Sequence, residues 1–468
     1  MQSVKKNFFY NSFSSLLSIL VPLITTPYIT RVLGPSGLGI YSYNYSIATY
    51  FVTFAMLGLN TYGNRTIAMV RDDKEKCSRT FWEIYLMQLA VGVIVLCAYS
   101  TYLFLFAKYK LISFILSVYV ISAMFDINWF FFGMELFKLT VARNIIIKIL
   151  TTISIFLFVK NENDVLLYVV IIATGALLSQ ITVWPFLKKY ASFTKVSFNN
   201  VLKHLKPNLI LFIPAIAVSV YKLMDKVMLG KMSSMNEVGV YEAGEKLIQI
   251  PNTLIASLGT VMLPRMSNLF SKDRKSVIYE YIEKAIFVAM VIAVPISLGI
   301  MAVSKEIVPI FFGNGYEKCI DILQFLMPSC IFVGFANVIR TQYLIPKKCD
   351  DIYIRSVFLG AIVNFFANYF MIKKYYAVGA AVGTLLAETT VCIYQAYKIR
   401  KELDIKKYIY NSVPIVLNGV LMFIIVNGIE INNNSILLQL FVKVLVGIVA
   451  FVILMYITKW IKRFCSKY

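Results

Sequence analysis

Fourteen long apolar stretches fill this chain from Phe8 to Ile461, and the polar intervals between them are too short to hold a soluble domain. A bilayer core about 30 Å thick takes roughly 20 mostly apolar residues per helix. The stretches therefore read as membrane helices near 8–33, 38–62, 81–107, 111–133, 141–159, 165–187, 207–232, 240–269, 281–304, 319–345, 352–372, 376–397, 409–429 and 435–458. Composition agrees: 59% hydrophobic residues leave too little polar side chain to clothe a 468-residue globule in water. The expected fold class is an all-α polytopic membrane protein of about 14 transmembrane helices.

The net charge of +22 has to be distributed over this frame. With the N-terminus in the cytosol, the cytoplasmic ends of the spans carry more than three times as many Lys and Arg as the external ends. That asymmetry is the positive-inside pattern, and it puts both termini in the cytosol. The densest groups, Arg65 to Arg79, Lys188 to Lys206 and Lys398 to Lys407, all fall on the cytoplasmic side. Basic loops interleaved with spans are topology signals and contacts for anionic lipid headgroups, so nucleic acid is excluded as a partner: it would need a folded polar domain. Lys5 and Lys6 precede an apolar run too long for a signal-peptide core and broken by Asn11, Ser12 and Ser14, so the run reads as a permanent first span. The seven cysteines are scattered singly, without disulfide or zinc spacing. His204, the one histidine, falls in a basic cytoplasmic loop and reads as a solvated structural residue. No catalytic residue and no cofactor is expected, and the chain reads as a non-enzyme.

The segment RVLGPSGLGIY, Arg31 to Tyr41, returns in outline from Val227 to Tyr241. Gly39 and Tyr41 match Gly239 and Tyr241, Leu33 and Gly34 match Leu229 and Gly230, and Arg65 matches Arg265. Two parallel repeats of six spans follow, related by an axis along the membrane normal. The expected organisation is an N-terminal lobe over 1–206, a C-terminal lobe over 207–408, and two additional spans with a tail over 409–468. Prolines gather on the first helix of each repeat, Pro22 and Pro27 in one and Pro214 in the other. They mark either interrupted helices of a transport site or ordinary kinks.

Charge inside a span is costly and normally faces a protein interior or a wet cavity. Span seven holds Lys222, Asp225 and Lys226, with the two lysines on one helical face and Asp225 within reach of Lys222. Arg31, Lys148, Arg65, Arg265 and Arg340 complete a cationic set that favours an anionic substrate. Arg65, Arg265 and Arg340 stand near span ends, where snorkelling to the interface is the alternative reading.

Several stretches together resemble one family: TPYITRVLGPSGLGIYSY from Thr26, WFFFGMELFKLTVARNIIIKI from Trp129, FFGNGYEKCIDILQFLMPS from Phe311, QYLIPKKCD from Gln342, GAIVNFFAN from Gly360 and GAAVGTLLAE ending at Glu388. In this order they are similar to bacterial Wzx-type polysaccharide repeat-unit flippases, a family related to multidrug and toxin extruders and to the lipid II flippase. The resemblance implies two six-helix lobes in a V-shaped arrangement and alternating access. It implies a polyprenyl-diphosphate-linked oligosaccharide as substrate, a bacterial plasma-membrane location, and polysaccharide polymerase and glycosyltransferases as pathway partners. It also implies a coupling cation, Na+ or H+. Oxygen-bearing residues stand at places similar to the sodium ligands of the lipid II flippase: Asp225, Asn364, Asn368 and Thr384, with Asn368 in place of a carboxylate. The alternative for this set is helix packing. A multidrug antiporter shares the expected fold but would carry more buried acids, of which the sequence has few. A non-transporting scaffold would tolerate loss of every intramembrane charge.

Overall fold

The computed structural model describes residues 4–272, 275–430 and 435–465, with side chains described from residue 20 to 459 except at 214, 215, 221, 271 and 275 within the helices. The side chains of Lys5, Lys6, Asn11, Ser12, Ser14 and Pro214 thus lie outside those described. The described residues form helices joined by turns and short irregular connections, with no strand among them. In chain order the helices are α1 (Val4–Met56), α2 (Leu59–Val70), α3 (Lys74–Leu105), α4 (Lys110–Met124), α5 (Asn128–Gly133), α6 (Phe137–Phe158), α7 (Val165–Ile181), α8 (Trp184–Leu187) and α9 (Phe198–Lys203). There follow α10 (Leu205–Met232), α11 (Met235–Ser271), α12 (Lys275–Ala302), α13 (Ser304–Phe312), α14 (Lys318–Leu326), α15 (Ser329–Ile339), α16 (Asp350–Ile399), α17 (Ile405–Asn427) and α18 (Ile436–Cys465). Ten helices among the described residues are long and apolar enough to cross a membrane, and eleven if the bent pair Phe198–Ile213 and Ile216–Met232 counts as one span.

Two long helices each turn a corner on a single residue. In α1 the backbone leaves the helix at Gly34 (φ 64, ψ 175), and in α16 at Tyr376 (φ 52, ψ −126). Glycine adopts a positive φ without steric penalty, whereas a side chain there is strained. α1 is continuous through Pro22 and Pro27, so its interruption comes at the echoed glycine and not at the prolines. The matching junction in the second repeat is the break after Met232, where Ser234 caps α11 by accepting from the Glu237 amide at 3.3 Å.

The chain packs as two compact units, Met1–Gly230 and Lys231–Tyr468. In the first, α4 packs on α1 and α7, and α6 on the same two helices. A buried aromatic core of Phe81, Trp129, Phe130 and Phe131 gathers α3 and α5. In the second, α12 packs along α17, α15 and α11, and α18 follows α17. The units follow packing and divide the chain differently from the sequence repeat. Residues 207–230 go with the first unit, because α10 lies against the second arm of α1 at three levels. A Cβ at Gly58 would meet the Asn208 carbonyl oxygen and Leu211 at 2.7–2.9 Å, the Tyr50 hydroxyl donates to the Val220 carbonyl at 2.9 Å, and Gly230 lies directly on the Tyr43 ring. Gly230→Ala is expected to destabilise the protein by about 1–3 kcal/mol through overpacking, read as a lower unfolding midpoint in detergent, with a smaller loss in a Tyr43→Leu background.

Ion pairs test the alternation of the connections. Lys318 pairs with Glu237, whose other carboxylate oxygen accepts from the Ala377 amide at 3.1 Å; these residues belong to the 7–8, 9–10 and 11–12 connections, all expected on the external side. Lys443 and Glu306, also at expected external ends, are 2.6 Å apart. Arg71–Glu135, Lys407–Glu283 and Lys347–Glu402 join ends expected in the cytosol. Each of these pairs thus lies on one expected face. The Lys347 ammonium, with the Tyr343 hydroxyl, holds the Glu402 carboxyl below its ordinary value. Its stabilising contribution is therefore present above the unfolded carboxylate range and lost as pH falls through the lowered folded value.

Candidate functional site

The contact between α10 and the second arm of α1 positions the charges of span seven. Asp225 and Lys226 are buried at 4% and 9% exposure, and Lys222, one turn earlier, is exposed. The face shared by the two lysines thus runs from open to closed along one turn. The Tyr50 hydroxyl lies in the field of both Asp225 and Lys226, so these three groups form one polar cluster. Arg31 is exposed, three residues before the Gly34 corner, and Arg65 is exposed on α2. Lys148 lines a separate cavity of about 380 Å³ within the first unit, among Thr25, Asn144, Thr151, Tyr168 and Ser179.

In the second unit, three of the four candidate cation ligands come together where α11 meets both arms of α16. Asn364 and Asn368 are fully buried, and the Asn368 amide donates to Asn364 Oδ1 at 3.2 Å. Gly383 lies directly against the Asn368 carboxamide, leaving no room for a Cβ. Thr384 Oγ1 and the Tyr241 hydroxyl are 2.9 Å apart. This trio is neutral, and the Asn364 and Thr384 side-chain oxygens are engaged in side-chain hydrogen bonds. The fourth candidate, Asp225, belongs to the first unit. Arg265 and Arg340 each sit over a tyrosine ring, Tyr281 at 4.4 Å and Tyr353 at 5.4 Å from the centroid, and each donates to that tyrosine's hydroxyl.

A second polar network was not anticipated. Asp126 Oδ1 accepts from the Asn128 amide (3.0 Å) and side chain (2.7 Å), and Arg143 donates to Asn128 and Asn144 at 2.8 Å and to the Ser179 carbonyl. It ties α5, α6 and α7 together. Arg143 could have been found by the rule that found Lys148, since both lie in the same apolar stretch. Glu242, Glu245 and Glu388 also lie within the expected spans, and of these Glu242 is buried while Glu245 and Glu388 are partly exposed. The reading of His204 is corrected: it is nearly enclosed, between the Tyr62 hydroxyl at 2.6 Å and Glu83 at 3.2 Å, because α9 folds back onto α3.

Residues 4–270 match the family described as polysaccharide biosynthesis protein, and residues 211–370 match the family described as MatE. The putative O-antigen transporter of Escherichia coli (strain K12) is 23% identical over 395 residues, covering 83% of this chain and 95% of the relative. The probable low-salt glycan biosynthesis flippase Agl15 of Haloferax volcanii is 24% identical, covering 67% of this chain and 66% of the relative. The solved structure of the lipid II flippase MurJ in its inward closed conformation is similar with a TM-score of 0.76 at 16% identity, over 96% of this chain and 98% of that one.

The fold is therefore that of the multi-pass transporters typified by the lipid II flippase. Within that class, the chain belongs to the polysaccharide biosynthesis protein family, and the resemblance to repeat-unit flippases read from its motifs is borne out.

Proposed function

We propose that this protein moves polyprenyl-diphosphate-linked oligosaccharide repeat units from the inner to the outer leaflet of the bacterial plasma membrane, for surface polysaccharide assembly. The observation that carries this reading is the family match over 4–270, together with a relative named as an O-antigen transporter that aligns over nearly its whole length. Fourteen spans, with both termini cytoplasmic, are supported by the corners at Gly34 and Tyr376, each of which divides one long helix into two membrane-length arms. Transport proceeds by alternating access of two six-span lobes, and a Na+ or H+ gradient drives it. Polymerase and glycosyltransferases are the pathway partners.

The physical task is to carry a diphosphate past hydrocarbon. In an apolar medium the unshielded anion costs tens of kcal/mol, and a water-filled path lined by cations removes most of that cost while the polyprenyl tail stays in lipid. Arg31 and Lys222, exposed on helices that span the bilayer, are the residues for this role, because an exposed charge at membrane depth is tolerated where water reaches it. Lys226, Lys148, Arg65, Arg265 and Arg340 extend the cationic field. Asp225 and the Asn364, Asn368 and Thr384 cluster supply the oxygen ligands for Na+ if sodium is the coupling ion.

The test replaces Lys222 and, separately, Asp225 with Ala in cells whose surface polymer depends on this protein. Polymer export is expected to fall at least tenfold, with lipid-linked repeat units accumulating on the inner leaflet. Wild-type export at normal protein level in both variants would remove the assigned roles and favour a scaffold.

A further inference from the structure

We propose that Glu388 is the proton-binding group through which a pH gradient acts on transport, an inference that rests on the flippase reading above and selects H+ as the coupling ion. Glu388 stands at the middle of the second arm of α16, Ala377 to Ile399, roughly 17 Å along the helix from either end. It is partly exposed, and its carboxylate forms no hydrogen bond or ion pair among the described residues. It follows Thr384 by one turn and shares its face, beside the cluster in which Thr384 meets Tyr241 and Asn368 meets Gly383.

Among the described residues, none of the titratable or charged groups on the elements packed against this arm makes an ion pair or hydrogen bond with the Glu388 carboxylate. α11 brings Tyr241, Glu242, Glu245 and Lys246, with Lys246 paired to Glu242 at 2.7 Å. α14 and α15 bring Cys319 and Cys330, Arg340 follows α15 and lies over Tyr353, and the first arm of α16 brings Arg355. On its own arm the nearest titratable neighbour is Cys392, one turn further along and buried.

An ionised carboxylate at this depth, with no cation beside it, is tolerated only while water reaches it; the neutral acid is tolerated in a dry setting as well. Protonation state and access to water are therefore linked at this residue. The carboxylate takes one proton from the solution on the side to which it is open, and the carboxyl returns it when the opposite side opens; no other reactant is needed. Asn364, Asn368 and Thr384 cannot do this because none of them titrates.

Two measurements on the purified full-length protein and its Glu388→Gln variant decide the point. Infrared difference spectra recorded as pH is varied are expected to show a protonated-carboxyl band in the wild type that is missing from E388Q; a spectrum unchanged by the substitution overturns the assignment, whether or not the protein transports anything. In proteoliposomes holding lipid-linked oligosaccharide, an imposed pH gradient is expected to raise the wild-type rate several-fold. E388Q should lose that response and Glu388→Asp should keep it. An E388Q response equal to wild type, or wild-type movement indifferent to the gradient, overturns the proposal. Absence of any wild-type movement, with the infrared band present, counts against the flippase reading and leaves the proton site standing.

Discussion

Lys443→Ala and Glu306→Ala are each expected to destabilise the protein by about 3–5 kcal/mol, and the double substitution by less than either alone. The two side chains are 12% and 8% exposed and 2.6 Å apart, and they tie α13 to α18. Lys443 stands at the edge of an apolar cavity of about 680 Å³ lined by residues such as Val291, Met422 and Phe451. Removing Glu306 strands an ammonium beside this cavity; removing Lys443 strands a carboxylate of which Oε2 already lacks a partner among the described residues. Removing both strands neither, and that is the physical source of the expected non-additivity. Unfolding midpoints of the four proteins in detergent give the coupling directly, and additive losses would mean the pair is solvated.

Trp129→Ala is the second large loss, about 3–5 kcal/mol. The indole is fully buried and stacks on Phe81 at 5.6 Å between centroids. Gly63 lies so close to its face that a Cβ there would meet the ring at 2.5 Å. Its Nε1 donates to Gln88 Oε1 at 3.0 Å, and the Gln88 amide donates to the Ala123 carbonyl at 2.7 Å and the Asp126 carbonyl at 3.0 Å. Truncation therefore opens a cavity and leaves a buried acceptor unmet. Trp129→Phe keeps most of the volume and isolates the second effect, about 1–3 kcal/mol. The check is chemical or thermal unfolding of the three proteins under one detergent condition.

The positions of the helices were legible because run length and apolarity are local properties, and a membrane fixes how long a run must be. The corners were legible only as gaps: nothing marks Tyr376 as a one-residue turn, since its conformation is held by Glu237 from another helix. The π turn at Arg340–Leu344 has no sequence signal either. Span seven announced itself because Lys222, Asp225 and Lys226 crowd into five positions of one apolar run. Lys443 did not, because it stands alone and its partner is 137 residues away. Glu237 stands in the first turn of α11, where an acid is ordinary and gives no sign of a distant partner. A reading of local pattern recovers spans and dense charge clusters; a pairing between distant helices is invisible to it.

The tie between Glu237 and the Tyr376 corner also bears on how the chain is made. The two arms of α16 are joined by one residue, too little to let the first settle in the bilayer before the second follows, so they must enter as a hairpin. Its turn carries a strained tyrosine and a backbone amide that needs an acceptor. Glu237 is 140 residues earlier in the chain, so during synthesis the acceptor is made before the corner that needs it exists. Ribosomes stalled at successive lengths beyond Ile399 would show the corner protected from proteolysis as soon as it emerges, and in E237A exposed until later helices arrive.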